Sequence, residues 1–299
     1  MSLSYHYTTI GKFQKMLDNS VGTDGKVSEF LFWASSIYAM NDPQEFLFGY
    51  DILWNDVIPE LEGEIGIKED KYKLSKLWKQ NKNSNRDEWK KKMINTLYDN
   101  HQIPFIISFS RKSDFLPMWM TYAGNGNGIC LAFNNYDYKI GNNFSVDIIY
   151  NLHASEVTYG VPDDSVKKII LQQYRNLYTR YSKIKNDEHR ANIMTQTSAF
   201  LSIIAAPYHK HHAYEYEQEE RLIVFKKDEK EVKYRCNENG RLIPYIVVKV
   251  NAKFLERIII GPCADYESVK RELFSQFKRY GINIDNDSII PSEVPYRVC

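Results

Sequence analysis

Four carboxylates and a guanidinium stand together in Glu215-Tyr216-Glu217-Gln218-Glu219-Glu220-Arg221, directly ahead of the apolar run Leu222-Ile223-Val224-Phe225. In an extended chain, alternation sends Glu217 and Glu219 to one face. Two carboxylates that close repel each other and raise one pKa. A pair kept at that cost suits the handling of a cation or a proton. The competing reading is a solvated charge cluster capping a buried strand.

Other residues offer chemistry as well. His6 lies between Tyr5 and Tyr7 on a first strand, where it reads either as a hydrogen-bonded core histidine or as a ligand contact. His209 and His211 would share a face of an extended segment, but no HExxH is present and Lys210 separates them. That spacing argues against metal, and the segment reads as solvated, partly basic and suited to phosphate. Asn41-Asp42-Pro43 forces a turn that would fix Asn41, Asp42 and Glu45 in a loop. Asp42, Glu45, Glu217 and Glu219 would make up a Mg²⁺ set for a metal-dependent nuclease. Such nucleases place a lysine on a neighbouring strand, and the sequence points to none. The expectation is no bound metal. Gly124 to Gly128 has neither phosphate-loop nor dinucleotide spacing, and reads as a tight hairpin.

The elements that must position these groups follow from periodicity. Ser4 to Thr8 predicts a strand, and Thr8 or Thr9 caps a helix with Ile10, Phe13, Met16 and Leu17 on one face. Buried strands are expected over Phe30–Ala34, Ile103–Ser110, Ile129–Phe133, Tyr245–Val250 and Arg257–Ile260. Further strands are expected over Val146–Tyr150, Glu156–Tyr159 and Ile282–Ile290. Ser108 and Ser110 share a face. A helix carrying Val269, Leu273 and Phe277 is closed by Gly281. Residues 51–100 and 163–206 read as helical insertions, the first with Trp89, Met93 and Leu97 as a core stripe. In the second, the helix Val166–Lys185 has a lysine- and arginine-bearing outer face, and another helix is capped by Asp187. Strand signals run from one end of the chain to the other, so the prediction is one α+β domain over residues 1–299.

Lysine and arginine total 39 and aspartate and glutamate 38, so bulk charge predicts no polyanionic partner, and any such partner needs a local basic patch. The 22 tyrosines supply stacking surfaces for bases and nicotinamide rings. Cys130, Cys236, Cys263 and Cys299 form no CxxC, which fits a reducing, cytoplasmic setting without structural zinc. The first residues show no signal-peptide pattern, and no apolar stretch is long enough for a membrane span.

His6-Tyr7-Thr8, Asn41-Asp42-Pro43-Gln44-Glu45, Ser108-Phe109-Ser110, Met118-Trp119 with Tyr122-Ala123, Gly128-Ile129-Cys130-Leu131-Ala132-Phe133 and Glu217-Gln218-Glu219-Glu220-Arg221-Leu222 occur in one order. That order resembles a widespread bacterial family of unassigned function. More remotely, it is similar to the ADP-ribosyltransferase superfamily. Diphtheria-type members open with a Tyr-His-Gly-Thr-like strand, matched here by Tyr5-His6-Tyr7-Thr8, with Tyr7 in place of the glycine. Their second motif resembles Phe32-Trp33-Ala34-Ser35-Ser36-Ile37-Tyr38, and their catalytic glutamate opens an apolar strand as Glu219 does. The arginine-type branch uses Ser-x-Ser and Glu-x-Glu, similar to Ser108-Phe109-Ser110 and Glu217-Gln218-Glu219.

The resemblance implies a split mixed β-sheet core and NAD as substrate. It implies Glu219, Glu217 and His6 as catalytic residues. NAD contacts would fall on His6, Tyr7, Thr8, Trp33, Ser35, Tyr38, Asn41, Ser108, Ser110 and Arg221. Glu219 would stabilise an oxocarbenium-like ribose, Glu217 would orient or deprotonate the acceptor, and Trp33 or Tyr38 would stack on nicotinamide. It further implies a toxin or phage-defence effector that modifies RNA or DNA rather than protein, with an antitoxin as partner protein. A metal-dependent nuclease and a non-catalytic nucleotide sensor stand as the alternatives.

Overall fold

The computed structural model describes residues 3–40, 45–66, 103–134, 153–160, 206–225, 229–236 and 240–296, with isolated positions between 73 and 80 and between 172 and 189. The expected strand Val146–Tyr150, the stripe of Trp89, Met93 and Leu97, the Asp187-capped helix and Asn41 lie outside the described residues, as does nearly all of the basic helix Val166–Lys185.

The core is a mixed sheet in the order β12-β11-β4-β1-β3-β2-β10-β9, with β8 joined to β3 and β5 joined to β8. Its central members are β1 (Leu3–Thr8), β2 (Glu29–Ser36), β3 (Pro104–Ser110) and β4 (Ile129–Asn134). They are followed by β5 (His153–Glu156), β8 (Glu219–Phe225), β9 (Lys233–Cys236), β10 (Leu242–Asn251), β11 (Leu255–Ile260) and β12 (Ile289–Pro291). β6 (Thr158–Tyr159) and β7 (His209–Lys210) form a separate parallel pair. Helices and strands in one body agree with the α+β expectation.

The register of β3 explains the sheet's shape. Along one edge, β3 pairs with β8 over its full length, from Pro104↔Phe225 to Ser110↔Glu219. Its remaining pairings are sparse: Ser35↔Ile106 and Ser36↔Phe105 to β2, and Tyr5↔Ser110 to β1. β1 and β2 therefore grip opposite ends of β3 and diverge between them. Ile107 to Phe109 face that gap, and a cleft opens there.

Helix α1 (Ile10–Ser20) begins at Thr9, whose hydroxyl accepts from Lys12 N at 3.2 Å. It buries Phe13 and Leu17, one turn apart, against Phe30 and the last long helix. That helix, α5 (Tyr266–Tyr280), is capped by Asp265 and buries Leu273 and Phe277. It ends at Gly281, which takes a left-handed φ of 72°. Phe32, Phe105, Phe109 and Phe133 complete the core on this face. On the other face, α4 (Leu116–Tyr122) covers β1 and β4 through Met118 and Trp119, with Tyr7 and Cys130 beneath.

Several expectations are corrected. β2 is not buried on both faces: Phe30, Phe32, Ala34 and Ser36 point inward, while Leu31, Trp33 and Ser35 stay half-buried. Gly124 to Gly128 joins a helix to a strand, α4 to β4, rather than forming a hairpin. Glu45 does not sit in a loop but opens α2 (Glu45–Ile52), which runs through a π-helical turn at Leu53–Val57 into α3 (Ile58–Ile65). Within the described part of the expected 51–100 insertion, Trp54, Val57 and Leu61 enter the main core, joined by Phe46 and Tyr50 just ahead of it. Val157 breaks the strand expected over Glu156–Tyr159 into two. The strand expected over Ile282–Ile290 shrinks to Ile289–Pro291, because Asn286-Asp287-Ser288 forms a 3₁₀ turn.

Gly49 fixes how closely α2 approaches the segment that leads into β7. A Cβ there would fall inside contact distance of the Ala206 carbonyl group. Gly49→Ala is expected to destabilise the protein by about 1–3 kcal/mol. Urea unfolding measures this, and an unchanged midpoint would mean that α2 does not depend on that approach.

Candidate active site

The cleft between β1 and β2 has a volume of about 860 Å³. Sites for small organic ligands span roughly 300–1,000 Å³, and this cleft falls within that range. His6, Thr8, Trp33, Ser35, Ser108, Glu217 and Glu219 all line it, although they come from distant parts of the chain.

The glutamates reach it by a route the sequence did not predict. His212–Glu217 is a 3₁₀ helix, and Gln218 takes a left-handed φ of 42° before β8 begins at Glu219. Strand alternation therefore does not align the pair. The backbone is pinned instead: Ser110 Oγ donates to Glu217 O at 2.5 Å, and Arg111 N to Gln218 O at 3.0 Å. Glu219 N donates to the Tyr159 hydroxyl at 2.8 Å.

Nor is the cluster solvated. Glu217 and Glu219 are 2% and 4% exposed, and Lys210 is 5% exposed. Lys210 Nζ lies between the two carboxylates, donating to Glu217 Oε2 at 2.6 Å and Glu219 Oε2 at 3.0 Å. Arg221 donates through Nε to Glu219 Oε1 at 2.8 Å and through one terminal nitrogen to Glu219 Oε2 at 2.9 Å. It also binds Glu45 and the Pro207 carbonyl. Tyr122 donates its hydroxyl to Glu217 Oε1 at 3.0 Å. Three buried carboxylates thus face two buried cations, a formal excess of one negative charge.

The electrostatics follow from that balance. Burial pushes the Glu219 carboxyl above its ordinary pKa; Lys210 pulls it back and Glu217 adds to the rise. Burial alone would lower Lys210, but Glu219 and Glu217 together outweigh it and hold the ammonium well above the usual lysine range. Burial brings Arg221 down to about 9, still charged at neutral pH. Burial also pushes the Tyr122 phenol up, with Glu217 reinforcing it.

His6 is tied differently. Its Nδ1 lies 3.0 Å from the Ser108 carbonyl, which can only accept, so the proton sits on Nδ1 and Nε2 is left as an acceptor. Burial holds its pKa below the usual imidazole value, so the neutral ring persists at pH 7. Phe32 and Phe109 pack against the ring.

Other expected contacts fall elsewhere. Tyr7 reaches the cleft lining, but its ring is buried against Trp119 and its hydroxyl donates to Lys112 O, so it braces the sheet. Ser110 and Arg221 lie behind the cleft wall and hold Glu217 and Glu219. Tyr38 packs on Phe46 and does not line the cleft. Trp33 is engaged by Tyr245 and Arg235. His209 is fully buried, not solvated; neither ring nitrogen has a hydrogen-bond partner among the described residues, and burial lowers its pKa to about 4.

Lys210, Glu45, Tyr122 and Arg235 complete the site. Lys210 overturns the expectation that no strand lysine lies near the acids. Its ammonium also stands where a cation shared by Glu217 and Glu219 would sit. Among the described residues, no group of three or more His, Cys, Asp or Glu is arranged to hold a metal ion.

A family model described as a protein of unknown function (DUF2971) matches residues 118–222. The matched stretch includes Tyr122, Lys210, Glu217, Glu219 and Arg221, and leaves out His6, Trp33, Glu45 and Arg235. No curated protein and no solved structure matches the chain. No described helix is long and apolar enough to cross a membrane.

Lys210→Met leaves the carboxylates facing each other without the ammonium, and should lower stability at pH 7 by about 3–5 kcal/mol. Removing the cation raises the carboxylate pKa in the folded state further above the unfolded value. An acid shifted this way is stabilised by taking up a proton, so the deficit should narrow from pH 7 to pH 5. Urea unfolding of both proteins at the two pH values measures it, and a pH-independent deficit would refute the coupling.

Proposed function

We infer that the protein is an NAD⁺-dependent ADP-ribosyltransferase acting on a nucleic acid acceptor. The observation that carries this reading is the convergence of His6, Ser108, Glu217 and Glu219 on one cleft at the split in the sheet.

The chemistry is a substitution at the nicotinamide-bearing ribose carbon. The bond to nicotinamide breaks, its electron pair leaves with the neutral nicotinamide, and positive charge develops on the ribose. Glu219, fixed from behind by Arg221 and from the side by Lys210, is preorganised to face that charge and accept from a ribose hydroxyl. His6 Nε2 is available to accept from a second hydroxyl. The acceptor then bonds to the ribose carbon, and its proton passes to Glu217.

Acceptor choice is supported by the surface beside Glu217. Tyr216 is 40% exposed and its ring lies 6.4 Å from Phe115, with Lys112 5.7 Å above the Phe115 ring. An exposed ring and a half-buried one beside a cation suit stacked bases and a phosphate backbone.

Purified protein incubated with NAD⁺ should release nicotinamide. Glu219→Gln should cut the rate by at least about 100-fold, the loss expected when one preorganised electrostatic partner is removed, while the NAD⁺-induced rise in Tm persists. Equal rates in the two proteins would remove the assignment. With labelled NAD⁺ and lysate, nuclease should free the label; release by protease alone would move the acceptor to protein. Binding without turnover would leave a nucleotide sensor.

A further inference from the structure

The wall of the cleft built by β2, β9 and β10 holds a further cation, the half-buried Arg235, in a different state from Arg221. The Arg235 guanidinium carbon lies 5.5 Å from the centre of the Trp33 ring, and one terminal nitrogen donates to Ser35 Oγ at 2.8 Å. Trp33 rests in turn on Tyr245, at 5.0 Å between ring centres. Ser35 and Tyr245 are cross-strand partners, so neighbouring sheet positions fix the guanidinium from two directions.

No carboxylate among the described residues pairs with it. Its Nε is buried without a hydrogen-bond partner, whereas Arg221 engages two carboxylates and a carbonyl. A buried donor left unpaired costs about 1–3 kcal/mol, so the arrangement is at odds with a purely structural role. Lys12 and Lys15 of α1 line the same cleft, and they too have no carboxylate partner among the described residues. A half-buried guanidinium that lines a cleft and is held in place by Trp33 and Ser35 can offer its terminal N–H groups to two oxygens of one phosphoryl group.

We propose that Arg235 is the phosphate-binding residue of this cleft and takes the diphosphate of a free nucleotide, with Lys12 and Lys15 adding positive potential. The inference rests on the functional reading above only in taking the cleft's ligand to be a nucleotide; it does not require NAD⁺ cleavage.

Calorimetric titration of the full chain with ADP, adenosine and a short single-stranded oligonucleotide tests it. ADP should bind at least about tenfold more tightly than adenosine, the worth of one charge-assisted pair. In Arg235→Gln that margin should fall below about twofold, with adenosine binding unchanged, which also reports an intact fold. Arg235→Lys should recover only part of it, because an ammonium cannot offer two parallel N–H groups. Should the glutamine variant fail to fold, the lysine variant carries the test. Equal binding of ADP and adenosine by the native protein, or a margin that survives either substitution, overturns the proposal. Loss confined to the oligonucleotide also overturns it, since the phosphate would then belong to a polymer. A protein that never releases nicotinamide yet loses ADP binding on substitution would end the transferase reading and leave this one standing.

Discussion

The ammonium of Lys210, held between two buried carboxylates, is the contact on which the rest of the site depends. Each buried charge gives up solvation worth several kcal/mol, and only close pairing offsets it. The five charges of Glu45, Lys210, Glu217, Glu219 and Arg221 are shielded together and satisfied by one another. They come from α2, β7, the 3₁₀ turn and β8. A slip of any one element would strand a charge in the interior, so the cluster sets their mutual register more tightly than apolar packing would.

That constraint is joined to the split in the sheet through β3. Ser110 is the residue at which β3 meets both β1 and β8, and its hydroxyl holds the Glu217 carbonyl. The Ser108 carbonyl, two residues back, orients His6 across the gap. One strand thus positions the imidazole on one side and the acid pair on the other. The cleft is a direct result of β1 and β2 reaching only the ends of β3. Glu220, on the opposite face of β8, takes the Ser4 hydroxyl and ties β8 to β1 beneath the opening.

Much of this architecture was legible in the sequence. Thr9, Asp265 and Gly281 carry local signals that need no tertiary context, and the apolar strands follow from their composition. Periodicity failed where tertiary contacts decide. Gln218 in a left-handed conformation resets the phase between Glu217 and Glu219, so their shared face came from a turn rather than a strand. Lys210 looked like part of a solvated basic segment because its partners lie seven and nine residues away across that turn. Glu45 looked like a loop residue because its partner Arg221 is distant in the chain. Arg235 carried no signal at all: a lone arginine on a short strand acquires meaning only beside Trp33 and Ser35.

Hydrogen-bond capacity separates the two acids. A carboxylate offers about four lone-pair sites. Glu219 commits three of them, one to Arg221 on Oε1 and two to Arg221 and Lys210 on Oε2. Glu217 commits two, to Tyr122 and Lys210. Glu219 is therefore the more firmly held of the two, with the Ser108 side chain adding to its partners. Glu217 keeps a site on each oxygen and neighbours the exposed Tyr216. The asymmetry arises from Arg221, which binds one acid and not the other.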